Sequence, residues 1–249
     1  MMTLVLYGLV MLVAMTMAGL IGFAANVIAL PLLSFFMPLD MTVSLLVLIA
    51  AIQSGAQAFR VRRQIRWREV GHILLYILIG MPFGIVFLHY LPELFTKALL
   101  GLFVGATAIR GLIDDARGKT PTTFRERPRH KLLLICSGFI SGAFGCGGPL
   151  TVIYTRNRYR DKDMFRVMQF SCGTVSMGAS AIGHAFTGAY TASTLPYILV
   201  GLCAVLCALR ISTWLVQRMD TAFFQKLINI VLLFSALSTL WQVAQGLLA

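Results

Sequence analysis

The chain has 249 residues, 58% of them apolar and only 12% charged, with a mean hydropathy of +0.84. A soluble domain carries about 25% charged residues, and several apolar stretches here exceed the ~20 residues that span a bilayer. The composition therefore excludes a sizeable soluble domain and points to an all-α integral membrane protein whose first partner is the lipid bilayer. The net charge of +12 is the Lys/Arg excess that membrane proteins gather in cytoplasmic loops. No nucleic-acid-binding signature accompanies it, and no nucleic-acid partner is expected.

Met2 to about Leu39 is one uncharged run, longer than a single crossing needs. The stretch Gly19–Asn26 and Pro31 divide it into two shorter helical pieces. Met41–Phe59, Val70–Tyr90 and Phe95–Ile113 follow, and Gly80-Met-Pro82-Phe-Gly84 is expected to kink the middle one. The polar residues 114–130 form a basic linker between a first membrane repeat, 1–113, and a second, 131–249. In the second repeat Lys131–Thr155 is again interrupted, followed by Phe165–Thr187, Thr194–Trp214 and Ala222–Leu247. That makes eight apolar segments, four per half. The N-terminus has no basic n-region and reads as mature structure rather than a cleaved signal peptide.

The two interruptions are alike. Gly138, Gly142, Gly145, Gly147, Gly148 and Pro149 crowd the second, and Ala18–Asn26 aligns on Ser141–Pro149 without gaps. Glycine costs about 1 kcal/mol and proline about 3 kcal/mol in a helix interior, so each cluster encodes a break at membrane depth. Freed backbone groups there need protein or a wet cavity to satisfy them. Paired breaks at corresponding places in two halves mark a transporter site.

Charge placement selects a topology. The basic clusters are Arg60–Arg68, Arg110 with Arg117–Lys131, Arg156–Arg166, and Arg210 with Arg218 and Lys226. If all eight segments cross, the first two clusters and the last two fall on opposite sides, against the positive-inside rule. If each broken run turns back to the side it came from, every cluster is cytoplasmic and Lys97 is the one Lys or Arg of 21 outside. The expected architecture is two inverted repeats, each a re-entrant broken-helix hairpin plus three transmembrane helices. Both termini are then outside the cytoplasmic (inner) membrane.

The motif GxxSGxxGxGG, intact at Gly138–Gly148, resembles the TauE/SafE sulfite exporter family of membrane anion transporters. The likeness covers the length, the four-plus-four duplication and the basic loop between halves. The first copy departs from the pattern, since Ala24 and Ala25 replace the glycines and Asn26 follows, while Pro31-Leu-Leu continues it. The resemblance implies a small anionic substrate such as sulfite, sulfoacetate or a thiosulfate-like anion.

Candidate substrate-binding residues follow from the breaks and from polar side chains inside spans. A helix restarting after Gly148 points unpaired N–H groups and its dipole at an anion, which selects Gly145, Cys146, Gly147 and Gly148. The equivalent helix start near Asn26–Ile28 completes the site, with Asn26 adding a side-chain donor. Gln53 and Gln57 lie one helical turn apart and face one way. Gln169 and Ser171 lie on the equivalent helix of the second repeat. Glutamines in an apolar span need partners, and their commoner service is interhelical bonding.

Cys146 is a weak donor to an oxyanion or a site of thiol chemistry. The other cysteines, Cys136, Cys172, Cys203 and Cys207, read as small core residues, and nothing in their spacing implies a metal or disulfide. The spacings Gly101/Gly105 and Gly178 read as close helix packing. No acidic residue lies deep in a span, so the proton-coupling candidate is His184. Arg166 is read as an anion attractor or an interface anchor.

No cofactor motif is present, and without a Walker A sequence ATP hydrolysis in this chain is not expected. The expected function is secondary transport, probed against two others. An anion channel shares the Gly breaks and differs in lacking saturable counter-transport. A rhomboid-like intramembrane enzyme needs GxSG and a histidine on a facing helix. Here Gly178-Ala-Ser180-Ala lacks the last glycine and His184 follows on the same helix. One chain carries both halves; a homo-oligomer is compatible with the sequence but not encoded by it.

Overall fold

The computed structural model describes residues 2–22, 24–90, 128–145, 147–159 and 161–218, with scattered positions between 95 and 109 and between 230 and 244. Eight α-helices fill the continuous parts: α1 (Met2–Ile21), α2 (Ala24–Leu33), α3 (Leu39–Arg60), α4 (Trp67–Tyr90), α5 (Pro128–Phe144), α6 (Gly148–Arg158), α7 (Lys162–Phe186) and α8 (Leu195–Val216). Among the described residues there is no strand. The expected helices Phe95–Ile113 and Ala222–Leu247 lie largely outside them. By length and apolarity four helices qualify as membrane spans: Met2–Ile21, Leu39–Arg60, Trp67–Phe87 and Ala192–Val216. Large apolar side chains such as Leu9, Phe83 and Leu206 are exposed on the outside of the bundle, where lipid solvates them.

The helix directions follow from named contacts. At one end Arg60 at the close of α3 donates to Thr213 Oγ1 near the close of α8 (3.2 Å). At that end too, Glu69 in the first turn of α4 accepts from Tyr159 and pairs with Arg158 at the close of α6 (3.5 Å). Short connections put the start of α7 there as well. The ends of this basic face thus gather Arg60 through Arg68, Arg158 and Lys162. Burial and the hydrogen bond to Glu69 push the Tyr159 phenol above its usual pKa range.

α1 runs parallel to α8, because Gly8 abuts Val200 and Gly19 abuts Ser212. It therefore descends toward the basic end, and α2 returns to the other end, where α3 begins. α4 and α5 are likewise parallel, with Gly80 against Ile135 and Phe139, and Gly142 against Met81 and Ile85. So α5 rises from the basic end and α6 returns to it. The two broken pairs, α1–α2 and α5–α6, are hairpins entering from opposite ends.

The packing partners repeat in the two halves. α1 packs on α8 as α5 packs on α4, α3 packs on α8 as α7 packs on α4, and α3 packs on α7. The glycines of Gly80-Met-Pro82-Phe-Gly84 serve this packing. α4 runs on as a helix through Pro82 to Tyr90, and the two glycines admit the α5 backbone. One packing expectation needs correction. Among the described residues a methyl group at Gly178 would meet nothing within 4 Å, so no close packing is seen there. Gly101 lies outside the described residues.

The cysteine expectation is corrected too. Cys172 is buried, but Cys136, Cys203 and Cys207 are exposed on helix faces. A thiol is apolar enough to sit against lipid, so an apolar run does not by itself say which face is core.

Candidate functional site

Each hairpin turns on a glycine in the left-handed region, Gly22 (φ 99°) and Gly145 (φ 65°). These are the positions that align between the two interrupted runs. The same closure serves both: Gly22 N–H donates to Ala18 C=O (2.7 Å) and Gly145 N–H to Ser141 C=O (2.8 Å). Such a left-handed turn caps a helix end by satisfying one of its last carbonyls. Glycine is required at both for two reasons. A Cβ would strain the positive φ. At Gly22 it would also fall 2.7 Å from Gln169 Cβ, and at Gly145 it would fall 2.7 Å from Asn26 Nδ2.

The second hairpin is stitched internally. Ser137 donates to the Gly147 carbonyl (2.8 Å), and its hydroxyl lies 2.8 Å from that of Thr151. Gly147 is enclosed by Ser137 and Ser141, with no space for a side chain. The first hairpin is held from outside. Arg166 of α7 donates through Nε to Leu20 C=O and through Nη2 to Gly19 C=O, each at 2.9 Å. These are among the last carbonyls of α1, left without helical N–H partners by the break, and the guanidinium also faces the negative end of the α1 dipole. Arg166 is thus a cap for a helix end, a role the sequence reading did not give it.

The hairpins meet. Asn26, in the first turn of α2, donates from Nδ2 to Gly145 C=O at 2.6 Å. Between them lies a cavity of about 50 Å³, lined from α1 to α7. On this measure one water needs about 10–15 Å³, so the space suits roughly four waters or one small oxyanion. Among its described lining residues there is no Asp, Glu, Lys, Arg or His. The polar surface comes from Asn26, Gln53, Ser54, Ser141, Thr151, Gln169 and Ser176, with Phe170, Cys172 and Met177 among the remainder. The α2 and α6 helices start at this cavity: Ala25, Asn26 and Gly148 all line it. Each start carries about half a positive charge.

Several expected residues come together here: Asn26, Gln53, Gly145, Gly148 and Gln169. Gln57, Gly147, Ser171 and His184 are not among the lining residues. Gln57 is buried and one turn nearer the basic end than Gln53. Ser171 donates to the Val167 carbonyl of its own helix (2.7 Å), the usual resolution for a hydroxyl in an apolar span. His184 is buried farther along α7. Cys146 lies outside the described residues.

The Asn26 amide nitrogen is occupied by Gly145, and its unpartnered atom is the acceptor Oδ1. Ser141 and Thr151 were missed as lining residues. Ser141 and Thr151 flank the second break, so their nearness to it was the available signal.

A family-wide sequence pattern, sulfite exporter TauE/SafE, matches residues 7–239. The chain matches none of the curated proteins and none of the solved structures with which it was compared.

Proposed function

We propose, since the chain belongs to the sulfite exporter TauE/SafE family, that it is a secondary carrier exporting a small sulfur oxyanion across the cytoplasmic membrane. Sulfite, sulfoacetate and thiosulfate-like anions are the substrate class. Residues 1–113 and 131–249 act as two inverted repeats, each a re-entrant hairpin with three transmembrane helices, that alternate access to the cavity between the hairpins. The observation that carries this reading is the meeting of both helix breaks at one cavity, whose described lining mixes apolar with neutral polar side chains and carries no charge. The helix starts and the Gln169 amide there would hold an anion with no counter-cation among the described lining residues, which favours release as well as binding.

The membrane potential supplies about 2.3 kcal/mol per charge per 100 mV, with a sign that expels an anion from a negative-inside cell. The described lining holds no carboxylate or imidazole to carry a coupled proton. His184, the sequence candidate for that role, would act only from outside the cavity.

Proteoliposomes loaded in turn with sulfite, thiosulfate, sulfoacetate, taurine, sulfate and chloride test the reading. Saturable flux of a sulfur anion that responds to an imposed potential, and is lost in Gly148→Leu, is the expected result. Flux of none of these anions under any gradient would refute it. The orientation has its own test. The basic end is proposed as cytoplasmic, so tags on either terminus should react with impermeant reagents added outside intact cells. A protected N-terminus would overturn the re-entrant hairpin.

A further inference from the structure

We propose that the ligand of the cavity is a sulfur oxyanion with no more than one net negative charge that brings its own hydrogen-bond donor, an acidic O–H, a hydroxyl or an ammonium group. Hydrogen oxyanions and hydroxyalkyl or aminoalkyl sulfonates share this chemistry; bare dianions lack it. The inference rests on the carrier reading and narrows its substrate class.

It comes from three amides. Asn26 gives its amide nitrogen to Gly145 C=O and Gln53 gives its own to Met15 C=O, both at 2.6 Å. Carbonyls only accept, so neither amide can be turned over without setting oxygen against oxygen. The remaining atoms, Asn26 Oδ1 and Gln53 Oε1, are buried acceptors with no donor among the described residues, on side chains each 3% exposed. Gln169, also 3% exposed, holds the complementary deficit, a buried Nε2 with no acceptor among the described residues. All three residues line the one cavity.

Unmade bonds of this kind are costly, and a ligand that completes them is selected over one that does not. A bare oxyanion satisfies Gln169 and the α6 helix start but sets its lone pairs against two amide oxygens. An anion with a donor satisfies both sets: its sulfonate or sulfite oxygens face Gln169, and its O–H or N–H faces Asn26 and Gln53. A second negative charge has no cation to meet among the described lining residues, which disfavours dianions again.

Isosteric pairs test this without varying charge. Hydroxymethanesulfonate against ethanesulfonate, and 2-hydroxyethanesulfonate against 1-propanesulfonate, exchange O–H for CH₃ at constant charge. Thermal stabilisation of the purified full chain, read against ligand concentration, gives the half-saturating value for each. The hydroxyl member is expected to bind about tenfold more tightly or better, and the ratio should shrink toward unity in Gln53→Met. The wild-type ratio decides the matter even if that variant does not fold. Equal binding within each pair, or tighter binding of sulfate than of the hydroxyl compounds, overturns the inference and leaves the carrier standing. Failure of every sulfonate to bind, with no sulfite flux in proteoliposomes, overturns both.

Discussion

A chain carrying Gly138→Val is expected to yield almost no monodisperse protein after extraction from the membrane. The cause is the α4–α5 crossing, where Gly80 and Gly84 face Gly138 and Gly142. A methyl group at Gly80 would enter the backbone of Ile135, with Phe139 N at 2.9 Å. At Gly84 it would enter Phe139, with Ala143 N at 2.9 Å. At Gly138 it would enter Ile77, with the Ile77 Cα at 2.9 Å, and at Gly142 it would enter Met81, with Ile85 N at 3.1 Å. The obstructing atoms are main chain, so no rotamer change relieves the clash and the helices must part. In lipid that parting is not opposed by a hydrophobic drive; what is lost is close packing itself. Ile77, Met81 and Ala143 are buried around the crossing and would lose contacts with it. Overpacking of this kind costs about 3 kcal/mol or more. Thermal melts followed by size-exclusion chromatography give the readout. Gly178→Ala is the matched control: no described residue lies within 4 Å of the added methyl, and alanine should gain up to about 1 kcal/mol from helix propensity. A Gly138→Val midpoint within a few degrees of the wild type would mean that this crossing is not so close.

The breaks were legible because glycine and proline act locally. A helix cannot pass Gly145–Pro149 at low cost whatever packs beside it, so the breaks could be read from residues alone, and so could the correspondence of Gly22 with Gly145. The cost of burying amides was equally local, which is why Asn26, Gln53 and Gln169 stood out.

What was hidden depends on partners. Nothing near Gly80 in sequence says that Gly138 will face it, so the contact made by Gly80-Met-Pro82-Phe-Gly84 with α5 was not legible there. Gln53 and Gln57 share a helix face, but only one reaches the cavity, since one turn, about 5.4 Å, is comparable to its size. Asn26 is a donor, as its residue type suggests, but its acceptor is a carbonyl from the other hairpin. In each case the residue type was informative and the partner was not.

Arg166→Leu is expected to lower both thermal stability and sulfite flux, the flux by about tenfold or more. The guanidinium holds the carbonyls of Gly19 and Leu20, and leucine leaves both unpaired inside a low-dielectric bundle. Each orphaned carbonyl costs about 1–3 kcal/mol, and the dipole at the α1 end loses its counter-charge. The functional loss follows from position. Gly22 comes directly after this helix end and packs against Gln169, so a frayed α1 displaces one wall of the cavity. Arg166→Lys should fall between, because an ammonium is a point charge that does not reproduce the planar fork reaching two carbonyls. Arg218→Leu supplies the comparison: that guanidinium stacks on the exposed Trp214, and its loss should leave flux intact. The alternative role for Arg166, drawing anions toward the site, predicts another pattern. Half-saturation would rise in Arg166→Leu with the melting midpoint unchanged, and Arg166→Lys would transport normally. Measuring flux and melting on the same three variants separates a cap on a broken helix from an electrostatic lure.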